Sequence, residues 1–177
     1  IAKELSVSES DILSHDLFLY NRDEARVCGI SDELIVSPRL DDLECVHASL
    51  RAFLESDENI GATKILAVFD NEEVGSETKQ GAASLFLHDT LRKIAGSDEK
   101  YYSMLEHSFM VSADNAHGKH PNHPELSDAE NAPLLGGGVV VKYNGNQRYT
   151  TDGISDGIFR VVAEKCGISL QRYYNRA

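Results

Sequence analysis

Apolar and polar positions along the chain recur with two periods, one typical of β-strands and the other typical of α-helices. Short apolar runs predict strands at residues 16–20, 33–37, 62–69, 107–113 and 137–143. Apolar residues that recur three or four positions apart predict helices at residues 41–56, 77–95 and 154–166. Strands that alternate with helices are typical of an α/β fold, so we expect a three-layer domain in which helices flank a mixed, mostly parallel sheet.

Segment 114–136 is the long stretch that follows neither period. An irregular segment of this length inside a compact domain is usually functional or mobile. Ligands of α/β sheets also bind beyond the carboxyl ends of the strands. The residues that follow each predicted strand are therefore the candidates for a functional site.

Three polar clusters follow predicted strands: SPRLDDL at 37–43, FDNEEVGS at 69–76 and VSADNAHGKHPNH at 111–123. Each cluster also has a purely structural explanation. Acidic residues at the start of a helix favour its dipole, and the second cluster fits a solvated strand-to-helix turn. The histidines of the third cluster fit an exposed loop.

Taken together, the clusters favour a metal site over three separate turns. They would bring Asp41, Glu73 and Asp114 to one edge of the sheet. Carboxylates are hard oxygen ligands of the kind that two divalent ions share in a co-catalytic site. Glu72, outside the ligand set, would then be available as a general base.

Charge and cysteine content narrow the possible ligands. The formal net charge of -12 would repel nucleic acid and anionic membranes, whereas a metal ion would be attracted. Three scattered cysteines without a CxxC pair indicate a reducing cytoplasm and no zinc–thiolate site. No apolar run reaches the length of a membrane span, and the first residues lack the order of a signal peptide.

Four motifs carry a resemblance to a known family: SPRLDDL, FDNEEVGSETKQGA, SADNAHGKHPNH and GGGVVVKYNGNQRY. In their order and spacing, over essentially the whole chain, they resemble the aspartyl aminopeptidase family of cytosolic di-zinc metallopeptidases. The resemblance implies the zinc-peptidase fold and two zinc ions per active site. It also implies peptide substrates from which an amino-terminal Asp or Glu is removed.

The resemblance implies a role for each matching residue. Asp41 would bridge the two zinc ions, while Glu73 would bind one ion and Asp114 the other. Glu72 would be the general base that acts on the bridging water. Three further residues would contact the substrate: His117, Lys142 and Tyr149.

Lys142 is the residue that would set the specificity of such an enzyme. An ion pair in a shielded pocket selects an acidic side chain, so a lysine suits an enzyme that removes Asp or Glu. The structural alternative is a lysine that protects an edge strand from aggregation.

The chain departs from the family pattern in its histidines. The family supplies each zinc ion with one more histidine, in an HTD-like segment near the amino terminus and an MHS-like segment near the carboxyl terminus. Neither motif occurs here. We therefore expect residues 1–177 to form one partial catalytic domain, with both histidine segments outside it. The resemblance also implies a homo-oligomer that assembles through a separate domain.

Two other functions remain open at this point. A non-catalytic fragment or degenerate homologue that acts as an assembly module would also lack the histidines. A related di-metal aminopeptidase of broader specificity would have the same ligands, and Lys142 would distinguish it from the acidic-specific enzyme. The ligand set also suits manganese and cobalt as well as zinc.

Overall fold

A computed structural model describes residues 1–57 and 61–175. The chain divides into two compact units after Leu43. The helices are α1 Ala2–Leu5, α2 Leu40–Glu55, α3 Phe86–Ala95, α4 Asp98–Glu106 and α5 Gly153–Lys165. The strands are β1 Arg26–Cys28, β2 Leu34–Val36, β3 Val139–Asn144 and β4 Leu170–Asn175. Short 3-10 helices cover Glu9–Asp11, Glu72–Val74 and Pro124–Leu126. The fold is therefore mixed α/β.

The first unit contains one small antiparallel sheet. Strands β1 and β2 pair from Arg26 with Val36 to Cys28 with Leu34, which confirms the strand predicted at 33–37. The strand predicted at 16–20 is wrong, because these residues join no ladder and the side chains of Leu17, Phe18, Leu19 and Tyr20 are exposed. Apolar residues can mark a segment suited to a strand, but a strand also needs a partner for its backbone hydrogen bonds.

Helix α2 confirms the helix predicted at 41–56. Its first turn is irregular, since Asp41 and Asp42 have non-helical backbone dihedrals and the peptide bond between them is cis. Regular helical geometry begins after these two residues. The two acidic residues of SPRLDDL therefore lie at the entrance of the helix, where a negative charge is favourable to the helix dipole.

In the second unit, a β–α–β motif includes β3, α5 and β4. Strands β3 and β4 are parallel and pair from Val139 with Leu170 to Asn144 with Asn175. Helix α5 starts after Asp152, whose carboxylate accepts hydrogen bonds from the backbone of the first turn. The strand predicted at 137–143 and the helix predicted at 154–166 are confirmed, whereas β4 was not predicted.

Helix α3 is shorter than the helix predicted at 77–95. Residues 77–85 form turns instead, in which the Ala83 amide donates to the Ser76 carbonyl at 3.1 Å. Gly81 passes so close to that carbonyl that a Cβ atom on it would lie 2.0 Å from the oxygen. This close approach explains why the segment is a turn despite its helical spacing. Helix α4, which follows Ser97 as N-cap, was not predicted.

The strands predicted at 62–69 and 107–113 are also wrong. Neither segment belongs to a ladder in the described residues, where the pairing is confined to two sheets of two strands. The predicted three-layer domain has a larger, mostly parallel sheet. Within residues 1–57 and 61–175, the parallel pairing found is that of β3 with β4. No helix within 1–57 and 61–175 combines the length and apolar character needed to cross a membrane.

A buried carboxylate joins α5 to the β3–β4 pair. Asp156 is only 7% exposed, and its Oδ2 lies 2.7 Å from Nε of Arg160 and 3.7 Å from a guanidinium nitrogen of Arg172. Burial raises the pKa of Asp156, but its interactions with Arg160 and Tyr143 outweigh burial, so that the pKa lies below its ordinary value. Two arginines from different elements therefore hold one ionised carboxylate near the core.

We expect Asp156→Asn to lower the free energy of unfolding of the full-length protein by about 2 kcal/mol, since the interactions that favour a charged carboxylate are lost. The folded pKa lies below the unfolded one, so this stabilisation is present at neutral pH and disappears as the pH falls below about 4. Urea unfolding at several pH values measures both effects. Asp98→Asn is the control, because Asp98 pairs with Arg92 in solvent. Equal losses in both variants would contradict the role assigned to Asp156.

Candidate functional site

The second unit brings Asp114 and Lys142 together. Asp114 follows segment 107–113, which has no assigned strand, and Lys142 lies in the middle of β3. The Lys142 ammonium donates to Oδ2 of Asp114 at 2.5 Å. The Lys142 side chain is 16% exposed and the Asp114 side chain 41%, so the pair is partly shielded from solvent. A charge-assisted hydrogen bond in such a position is stronger than one on the open surface.

Tyr149 is part of the same cluster. The Lys142 ammonium lies 5.9 Å from the centre of the Tyr149 ring, a distance at which the ring attracts a cation. The Tyr149 hydroxyl accepts a hydrogen bond from Nδ2 of Asn175 at 3.3 Å, which fixes it to the end of β4. Three of the residues predicted for the site therefore form one cluster, which we call the Lys142 cluster: Asp114, Lys142 and Tyr149.

Asn115 also contacts Lys142, although its sequence context predicts no role for it. Its main-chain carbonyl accepts a second hydrogen bond from the Lys142 ammonium, at 2.6 Å. Its side chain is bonded to helix α2, since Oδ1 accepts from the Cys45 thiol at 2.9 Å and Nδ2 donates to Glu44 at 3.2 Å. An uncharged residue inside SADNAH gives no chemical signal, so sequence reasoning could not single it out.

Glu72 and Glu73 lie on a 3-10 turn rather than on a strand. The turn is bounded by Asn71 and Gly75, which both have left-handed backbone conformations. The Asn71 side chain donates to Thr78 at 2.9 Å, and the Ser76 amide donates to the Asn71 carbonyl at 3.0 Å. Both glutamates are exposed. Because successive side chains of a helical turn point in different directions, the two carboxylates can serve different functions.

His117 and Asp41 are the remaining predicted residues, and they lie on the irregular segment 114–136 and at the start of α2, respectively. His117 is exposed on segment 114–136, and the hydrogen bonds and ring contacts of the Lys142 cluster include neither His117 nor Glu73. Asp41 belongs to the first unit, at the irregular entrance of α2. The metal roles of Asp41, Glu73 and Asp114, the base role of Glu72 and the substrate contact of His117 stay predictions.

Comparison with known proteins identifies relatives along the whole chain. A family model described as "Aminopeptidase I zinc metalloprotease (M18)" matches residues 1–177. The chain is 42% identical over 181 residues to the probable M18 family aminopeptidase 2 of Clostridium novyi. That match covers 100% of this chain and 42% of the relative, so the chain spans less than half the length of the curated relatives it matches.

Comparison with solved structures also identifies similar chains. One similar chain is in the cryo-EM structure of the Ape4 and Nbr1 complex, with a TM-score of 0.77 and 36% identity over 87% of this chain and 31% of that one. Another is the S. cerevisiae mApe1 dodecamer, with a TM-score of 0.75 and 25% identity over 98% of this chain and 42% of that one. These findings confirm the resemblance carried by the four sequence motifs. With a family model that matches all 177 residues and a relative that is 42% identical, the chain belongs to the M18 family of aminopeptidase I zinc metalloproteases.

Proposed function

We propose that this chain supplies the substrate pocket and part of the catalytic machinery of a zinc aminopeptidase that releases amino-terminal Asp and Glu from peptides. The observation that carries the proposal is the Lys142 ammonium, which is partly shielded and held by two acceptors in the middle of β3. A fixed cation in a shielded position favours a substrate with a carboxylate side chain.

The residues of the cluster fit the zinc that the family implies. Asp114 already holds a cation, since the Lys142 ammonium lies on its Oδ2 as a stand-in for a positive ion. A carboxylate has two oxygens, so Asp114 would have an acceptor left for a metal beside the one bonded to Lys142. We propose that Asp114 would hold one ion and Glu73 the other, with Asp41 as a ligand of both. A bound zinc ion supplies a water molecule of lowered pKa.

Glu72 is the residue that we propose to move the proton. As a carboxylate outside the ligand set, it takes a proton from the attacking water and passes it to the amine that leaves as the peptide bond breaks. The support for this division is the 3-10 turn, on which Glu72 and Glu73 are neighbours with different side-chain directions. His117 and the Tyr149 hydroxyl are proposed to hydrogen-bond the peptide backbone of the substrate.

Lys142 is proposed to recognise the first side chain of the peptide. An ammonium group has three N–H donors, and Asp114 and Asn115 use two of them. The third donor can reach a substrate carboxylate without breaking either bond. The nearby Tyr149 ring stabilises the ammonium without neutralising it.

Cellular context and assembly are also proposals. Cys28, Cys45 and Cys166 form no disulfide in the structure, which supports a reducing cytoplasm. The similarity to the mApe1 dodecamer supports a homo-oligomer.

We expect the full-length protein to cleave Asp- and Glu-peptides at least about tenfold faster than Leu-peptides, judged by kcat/KM, because only an acidic side chain pairs with Lys142. A chelator should abolish the cleavage, and added zinc should restore it. Equal rates on all peptides would favour an aminopeptidase of broader specificity. No cleavage of any peptide by zinc-loaded protein would favour a non-catalytic module.

A further inference from the structure

We propose that Asn115 is a positioning residue for substrate specificity: it fixes the ammonium of Lys142 relative to helix α2. The proposal rests on the function proposed for Lys142 and extends it to Asn115, a residue of SADNAH for which the family resemblance implies no role. Its basis is a continuous set of hydrogen bonds that runs from α2 through Asn115 to β3.

Lys142 needs such an anchor because of its own flexibility. A lysine side chain has four rotatable carbon–carbon bonds, and its ammonium samples many positions unless acceptors hold it. In this structure the acceptors are Oδ2 of Asp114 and the main-chain carbonyl of Asn115. Both belong to consecutive residues, so the position of one short backbone segment determines where the ammonium lies.

The side chain of Asn115 holds that segment in place. Its Oδ1 accepts from the Cys45 thiol, and its Nδ2 donates to Oε2 of Glu44 on the next residue of α2. Cys45 and Asn115 are both partly buried, which shields their hydrogen bond from water, whereas the bond to Glu44 is exposed. A hydrogen bond to a charged carboxylate is stronger than one between neutral groups. The position of residues 114–115 is therefore set by their attachment to α2 rather than by the irregular residues that follow them.

The chemistry of the two partners explains why an amide is required. Cys45 presents a donor and Glu44 presents an acceptor, so the residue between them must accept on one atom and donate on the other. Aspartate would accept from Cys45 but would place a negative charge against Glu44. Alanine would make neither bond. Among residues of this size, asparagine alone satisfies both partners without a charge.

The test compares Asn115→Ala with Asn131→Ala in the full-length, zinc-loaded protein. Asn131 lies on the same irregular segment but bonds to Asp128, away from Lys142. In Asn115→Ala, we expect the KM for an Asp-peptide to rise about five- to tenfold, with kcat changed by less than about threefold. Zinc content and kinetics on a Leu-peptide are measured beside it, and the loss on the Asp-peptide should exceed any loss on the Leu-peptide by at least about threefold. Asn131→Ala should match the wild type on both peptides.

A second pair of variants keeps the proposal testable if Asn115→Ala fails to fold. Cys45→Ser keeps a donor for Oδ1, whereas Cys45→Ala removes it, so only the alanine variant should raise the KM for the Asp-peptide. Unchanged KM in Asn115→Ala, or equal kinetics for both Cys45 variants, would overturn the proposal. So would a parallel loss on Asp- and Leu-peptides, because that result indicates general destabilisation.

Failure of this inference is distinguishable from failure of the proposed function. If the wild type shows no preference for acidic peptides, both the role of Lys142 and the role of Asn115 are wrong. If the wild type prefers acidic peptides and Asn115→Ala keeps the same KM, Lys142 recognises the substrate without help from Asn115, and only this inference is wrong.

Discussion

Glu72→Gln is expected to reduce kcat of the full-length protein by about 10²- to 10⁴-fold and to leave its zinc content unchanged. The magnitude is that of a positioned general base, which a neutral amide cannot replace. The amide has nearly the same size and shape, so the 3-10 turn at Glu72–Val74 should persist. Turnover of an Asp-peptide, measured beside metal content, tests the prediction.

Glu73→Ala should differ in its zinc content, because a ligand has been removed: zinc content falls, and activity falls with it. Glu77→Gln is the matched control, since Glu77 is an exposed glutamate on the same stretch without a proposed role. It should behave as the wild type. Loss of zinc from Glu72→Gln would contradict the division of roles, and the two glutamates would then have to share one function.

Lys142→Leu is expected to reduce kcat/KM for Asp- and Glu-peptides by about 10²-fold but to change kcat/KM for Leu-peptides much less. A hydrogen-bonded ion pair with the substrate is lost, and leucine offers only apolar contact. The partner Asp114 is 41% exposed, so water can solvate its carboxylate once the lysine is gone. Kinetics on matched Asp- and Leu-peptides measure the selectivity.

Lys119→Leu is the control for this substitution. Lys119 is exposed on segment 114–136, and the removal of its charge should affect both peptides equally and slightly. If Lys142→Leu lowered the two peptides by the same factor, the acidic pocket would not be at Lys142. Lys142→Arg adds a graded case, because it keeps the charge but changes the geometry of the donors.

The elements that the sequence predicted correctly are those with local determinants. Helix α5 has a capping aspartate at its start and Gly167 after its end, and both signals lie within the segment itself. The strands predicted at 16–20, 62–69 and 107–113 depended on pairing with distant residues. An apolar pattern reports that a segment could be half-buried, but it does not report which backbone will pair with it.

The candidate site shows the same limit. Asp114 could be named from its charge after an apolar run, whereas Lys142 and Tyr149 could be named because their motif resembles that of the family. Their mutual contacts could not be predicted, since Lys142 and Asn115 are 27 positions apart and the folding of the chain brings them together. The hydrogen bonds of Asn115 could not be predicted for a further reason. They are made by an uncharged side-chain amide and by a main-chain carbonyl, and neither group marks a residue as functional.

The β3–α5–β4 motif supports the residue proposed for peptide recognition but not the residue proposed for proton transfer. It is one continuous stretch of chain whose strands pair in parallel and whose helix carries the buried Asp156. Such units open rarely, whereas short turns with exposed side chains move within nanoseconds to microseconds. Lys142 lies in that motif, whereas Glu72 lies on a short 3-10 turn with an exposed side chain. We therefore expect the residue proposed for peptide recognition to be held more rigidly than the residue proposed as the base.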